Sequence, residues 1–163
     1  MGFTPLAGLV MATRSGDVDP GLVLWLLNRV GNDELSEVLE HRSGLAGLTG
    51  GSGDLRDIAD SHDTAAILAR DVYLHRLRRE TAAMAAAMNG LDVLVFTGGV
   101  GEHQPLIRAA AASGLSFLGV RISASANDRG GLDITEAGAP VRTLVIPARE
   151  DVEIARQVRS VIR

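Results

Sequence analysis

The stretch "LDVLVFTGGVGEHQP", residues 91–105, decides how the chain is read. Seven residues without apolar–polar alternation predict a short strand buried on both faces, as in a parallel sheet. The run breaks at Gly98-Gly99-Val100-Gly101, and Glu102 and His103 follow at once. Pro105 then opens a short helix over "QPLIRAAAASG", 104–114. A strand running into glycines and a helix can cradle a phosphate, because backbone N–H groups approach an anion closely there. An ordinary strand–helix turn reads the same way. Two familiar versions fail: no Lys-Ser/Thr pair ends the loop, and Gln104 stands where a dinucleotide fingerprint needs its third glycine. Arg121 lies near the ribose position of that broken fingerprint.

Outward from this turn, the second half alternates helix and strand patterns. "VRTLVIPA" (141–148) reads as the last strand, and 150–163 as a terminal helix. "LSFLGVRI" (115–122) is an extended segment and "SASANDRGG" (123–131) a polar loop. Upstream, 61–88 forms the longest helical pattern, with Leu68, Val72, Leu77, Met84 and Met88 on one apolar face. Asp19-Pro20 starts a helix over 20–30 that is apolar nearly all round and calls for burial. "DELSEVLEHRSG" (33–44) is amphipathic. The glycine-rich "SGLAGLTGGSGDLRD" (43–57) is too irregular for a helix or strand. Helices outnumber strands, so the sheet is too small to cover the helices predicted around it.

Composition narrows the function. The 163 residues suit one domain with an aliphatic core, since only five are aromatic. A net charge of −4 lacks the basic stripe that nucleic acid requires. With no cysteine, disulfides and thiolate metal sites are excluded. No apolar run is long enough to span a bilayer, and the first residues do not read as a signal peptide. The expected setting is cytoplasmic. His41, His62, His75 and His103 show no metal-ligand spacing.

Three further segments are candidates beside the glycine turn. In "TRSGDVDP" (13–20), Arg14 is either a phosphate-binding cation or a surface residue paired with Asp17. In "GDLRD" (53–57), Asp54, Leu55 and Arg56 form either a ligand contact or a polar loop with a surface ion pair. Glu150 is a metal carboxylate or a first-turn acid facing a helix dipole.

Together the four segments resemble the acetate kinase family. "MGFTPLAGLVMATRSGDVDPG" is similar to that family's MGFTPLEG running into GTRSGDIDP. "SGLAGLTGGSGDLRD" resembles SGLLGISG with SDFRD, "VFTGGVGEH" resembles VFTAGIGEN, and "VIPAREDVEIAR" resembles VIPTNEELMIAR. Order and spacing agree, with a small shortening between Arg14 and Asp54. The resemblance does not separate acetate from propionate kinases.

It implies an α/β fold: the C-terminal part of the nucleotide-binding domain of an actin-like (ribonuclease H-like) ATPase, helix-rich with few strands. Residues 1–148 would form that partial domain, and 149–163 a terminal helix that returns towards the family's N-terminal domain. The implied reaction passes phosphoryl from ATP to acetate, giving acetyl phosphate and ADP with Mg²⁺. Arg14 matches the arginine holding the transferring phosphoryl group. Asp54, Leu55 and Arg56 match a nucleotide-contacting Asp-Phe-Arg. Gly99, Val100, Gly101, Glu102 and His103 match the turn along the adenosine and phosphates. Glu150 matches the magnesium carboxylate.

Implied partners are acetate or another short-chain carboxylate and a second copy in a homodimer, with no nucleic acid or membrane. Departures are His103 for Asn, Leu55 for Phe, and Ala148-Arg149 for Thr-Asn, where a cation beside Glu150 would compete with a divalent ion. The family's Asn-x-Gly-Ser-Ser-Ser turn, catalytic Asp and His, second arginine and His-Leu-Gly-Asn-Gly loop have no counterpart in these residues. The expectation is a C-terminal piece, inactive by itself. The alternatives are a non-catalytic nucleotide-binding or subunit-interaction remnant, and, more weakly, a free-standing dinucleotide-binding domain.

Overall fold

The computed structural model describes residues 2–162; Met1 and Arg163, the last residue of the expected terminal helix, lie outside them. Four helices precede the long one: α1 (Pro20–Leu27), α2 (Asn32–His41), α3 (Gly44–Thr49) and α4 (Leu55–Ile58). Helix α5 (Thr64–Ala87) follows, then β1 (Val93–Phe96), α6 (Gly98–His103), α7 (Pro105–Gly114) and a 3-10 turn over Ser116–Leu118. Helix α8 (Ala124–Asp128), β2 (Arg142–Val145) and α9 (Glu150–Val161) complete the chain. Strands β1 and β2 pair in parallel, Val93 opposite Arg142 and Phe96 opposite Val145. The fold is α/β, helix-rich around a small parallel sheet.

Capping explains the helix starts. The Asp19 carboxylate accepts the Leu22 N–H at 3.1 Å, and Pro20 fills the first turn. Asp63 caps α5 through the N–H groups of Ala65 and Ala66. The core then forms where α5 meets α3, α4 and α7, around Leu45, Leu55, Ile58, Ala69, Tyr73, Leu74, Ile107 and Ala111. A large aliphatic side chain buried there contributes roughly 1.5–3 kcal/mol. Phe96 and Val145, at the ends of the two strands, join the same core and set the sheet against it.

Several expectations are corrected. Helix α1 buries none of its residues, and Leu24 and Trp25 are more than half exposed. Val23 and Leu26 are partly buried, but the Leu24–Trp25 side has no covering element among the described residues, and Arg29 folds back over the Trp25 ring, 3.4 Å from its centre. The strand β1 is not buried on both faces, since Val93 and Val95 are exposed while Phe96 points inward. The buried face of α5 is Ala66, Ala69, Tyr73, Leu74 and Ala85, whereas Leu68, Met84 and Met88 face outward. Small alanines allow close approach of α3 and α7, so they define the packed face better than the larger side chains do.

The glycine-rich 43–57 stretch contains two short helices, α3 and α4, stopped and started by Gly50 in the left-handed region and by the Asp54 cap. The expected polar loop 123–131 contains α8, capped by the Ser123 hydroxyl at Ala126 N–H. The 115–122 segment is a 3-10 turn followed by isolated bridges at Val120 and Ile122.

Candidate functional site

The site is assembled on the loop over residues 9–14. This loop is gripped by α3, where Leu45 N–H donates to Met11 O at 2.9 Å and Ala46 N–H to Ala12 O at 2.8 Å. Ser43 N–H donates to Thr13 O at 3.0 Å. Gly44 and Gly53 permit this approach: a β-carbon on Gly44 would collide with Met11 O, and one on Gly53 with Ala12 O. The glycines of the 43–57 stretch therefore serve close backbone packing here, which brings the Asp54 segment against the loop.

Asp54 caps α4, accepting the Arg56 N–H at 2.8 Å, and also binds the Arg56 guanidinium through Nε at 2.8 Å. The Arg56 side chain, then its backbone N–H, holds the Asp54 carboxyl down at about 2. The pair is exposed on the arginine side and half-buried at Asp54. The surface ion pair considered from the sequence is thus real, yet it also stands at the mouth of a cleft. Asp54, Leu55 and Arg56 face Gly99, Val100, His103 and Gln104 across a space of about 260 Å³. Val100, Leu55 and Asp54 also border a larger cleft of about 520 Å³, whose far wall is Leu9 to Ala12.

Two segments more than forty residues apart in sequence thereby line one opening. Leu55 is buried and makes part of the floor. The glycine stretch is helical from Gly98 onward, with Gly98 itself in the left-handed region. Around Gly99 the space is open, whereas a β-carbon on Gly101 would press on Phe96. Gly99, Val100 and His103 line the opening. Glu102 instead reaches away, accepting the Ala148 N–H at 2.8 Å.

Arg14 lies on the gripped loop, its carbonyl accepting the Met11 N–H at 3.1 Å. It is partly buried, and it is not paired with Asp17. Asp17 binds Arg79 at 3.2 Å and the Gly8 N–H at 2.7 Å. The surface reading of Arg14 therefore loses the partner on which it depended.

Glu150 is an exposed first-turn residue of α9, with Asp151 and Glu153 beside it. Among the described residues no three carboxylate or imidazole groups gather to hold a metal ion. Magnesium is usually held by one or two carboxylates together with substrate phosphates, so a single exposed carboxylate suits that use. Arg149 turns to Asp151, Nε to Oδ1 at 3.2 Å, so part of its charge is answered there.

The Acetokinase family matches residues 1–156. The chain belongs to that family. It is 48% identical to the acetate kinase of Leifsonia xyli subsp. xyli over 170 aligned residues, covering 99% of this chain and 43% of that protein. It is 40% identical to the acetate kinase of Clostridium kluyveri, covering all of this chain and 42% of the other. Among solved structures, Porphyromonas gingivalis acetate kinase superposes with a TM-score of 0.89 at 37% identity, over 100% of this chain and 43% of that one. A propionate kinase from Francisella tularensis gives 0.88 at 35%, over 96% and 41%. The chain thus spans about two fifths of the length of the acetokinase relatives it matches.

One polar group escaped the sequence reading. Arg108 is 1% exposed and donates to Gly101 O at 2.9 Å, Glu102 O at 2.8 Å and Asn127 Oδ1 at 2.7 Å. Burial lowers its pKa, and Asp128 opposes that. The available signal was a charged residue on the face that α7 shares with Ile107, Ala111 and Ala112.

Proposed function

We propose that this chain supplies the nucleotide-holding wall of an acetate kinase, and that the complete enzyme phosphorylates acetate from ATP to give acetyl phosphate and ADP. The observation that carries the reading is the meeting of Asp54–Arg56 with Gly99, Val100 and His103 across one opening. An adenosine moiety suits such a cleft: Leu55 and Val100 offer apolar surface, and Asp54 an acceptor for a hydroxyl. Gly99 leaves room for a ligand to approach the backbone.

In the reaction, a carboxylate oxygen of acetate forms a bond to the γ-phosphorus while the bond to the ADP oxygen breaks and its electron pair leaves with ADP. Charge spreads over the equatorial oxygens in the process, and Arg14 is the cation assigned to them. Glu150 is the carboxylate assigned to magnesium. When bound, Mg²⁺ would neutralise phosphate charge. The reading includes a cytoplasmic setting and pairing with a second copy. It also treats 149–163 as a terminal helix that returns towards the N-terminal domain of the complete enzyme, a reading supported by the exposure of every described residue of α9.

Hydroxamate trapping of acyl phosphate tests it. The 163 residues alone are expected to give no meaningful turnover, because positioning both reactants supplies much of the acceleration. Joined to the remaining portion of an acetate kinase they should restore it. Turnover of roughly 1–100 s⁻¹ from the 163 residues alone would overturn the division of labour proposed here.

A further inference from the structure

Strand β2 ends at Val145, but Ile146 N–H still donates to Phe96 O at 2.9 Å. Pro147 has no N–H to give. The next backbone donor, Ala148, leaves the sheet and binds the Glu102 carboxylate at 2.8 Å. Two residues later Glu150 opens α9, whose N-cap residue, Arg149, makes no side-chain cap. Glu102 therefore brings an acceptor and a negative charge to the entry of that helix from outside, where both are favourable.

The backbone carrying Glu102 is itself fixed. Arg108 binds the Gly101 and Glu102 carbonyls, and Asn127 holds Arg108 through its side-chain and backbone oxygens at 2.7 and 2.9 Å. The Asn127 amide donates in turn to Pro105 O at 3.0 Å. A buried and satisfied network of this kind is rigid.

We propose that Glu102 is a positioning residue: by holding Ala148 it keeps Glu150 in register with the glycine helix beside the nucleotide cleft. This rests on the reading of Glu150 given above. A carboxylate pointed into the cleft would repel a polyphosphate, whereas one spent on the Ala148 amide orders the approach to the magnesium carboxylate.

The test uses the 163-residue chain with Glu102→Ala and Glu102→Gln. Amide exchange at Ala148 should quicken about tenfold in the alanine variant, the equivalent of one lost hydrogen bond, and much less in the glutamine variant, which keeps an acceptor. ADP affinity without metal should stay within about twofold, while the gain on adding Mg²⁺ should fall about tenfold in Glu102→Ala and partly recover in Glu102→Gln. Unchanged Ala148 exchange would overturn the proposal. So would ADP binding that weakens equally with and without Mg²⁺, which would mark a direct nucleotide contact. A wild-type chain that binds no ADP would sink the nucleotide reading instead, and Ala148 exchange would then decide the latch by itself.

Discussion

The floor of the cleft and helix α1 are built from the same kinds of residue and end in opposite environments. Leu45 and Leu55 lie under the cleft, buried against Tyr73 and its neighbours on α5, while Leu22, Leu24, Trp25 and Leu27 of α1 face solvent. Pattern alone does not separate them. What differs is the presence of a covering surface: α5 supplies it for the cleft, and no described residue supplies it for the Leu24–Trp25 side of α1. Apolar patterning records a demand for burial, and the cleft has a packed floor because the chain itself meets that demand there.

The largest expected effect lies on the 9–14 loop, whose first residues wall the cleft. In a complete enzyme carrying these residues, Arg14→Ala should lower kcat by about 10³-fold or more with little change in KM for ATP. A guanidinium matches phosphoryl oxygens with a fork of donors, so Arg14→Lys should rescue poorly. Turnover at half the wild-type rate would return Arg14 to the plain exposed surface, along with α1.

A smaller effect tests how the cleft is built. Gly53→Ala should cost about 2 kcal/mol in urea unfolding, since its methyl group is driven into the Ala12 carbonyl and the loop must shift. An unchanged midpoint would mean that the 9–14 loop is not gripped as described.

The smallest effect belongs to α1. Leu24→Glu should change stability by less than ~0.5 kcal/mol while reducing self-association measured by light scattering, because an exposed apolar patch drives contact between copies. A large loss of stability would show that α1 is covered after all, and the contrast with the cleft would dissolve.

Much of this was legible in the sequence for local reasons. Asp19-Pro20, the apolar run before Gly98 and the proline at 105 determine their elements through caps and backbone restriction, so α1, β1 and α7 fall where expected, whereas the glycine stretch, expected as a turn, is the short helix α6. The burial of β1 and α1 was not legible, because it depends on neighbours that the run itself does not name. The packed face of α5 is legible only in part: Val72 and Leu77 pack against the core as expected, but alanines such as Ala69 are chosen by the closeness of α3 and α7, not by their own hydrophobicity. At the site, the segments holding Asp54 and Gly99 could be picked out, but their meeting is tertiary. Arg108 was passed over because a guanidinium satisfied by carbonyls carries no short motif.

Amide shift mapping with adenosine, ADP and ATP on the 163-residue chain tests the central claim most directly. If Asp54–Arg56 and the glycine helix form one wall for the adenosine end, all three ligands should move the amides of Leu55, Arg56, Gly99, Val100 and His103. Without metal, their affinities should be weak and agree within about tenfold, or 1.4 kcal/mol. Shifts confined to other parts of the chain, or no shifts at all, would contradict it.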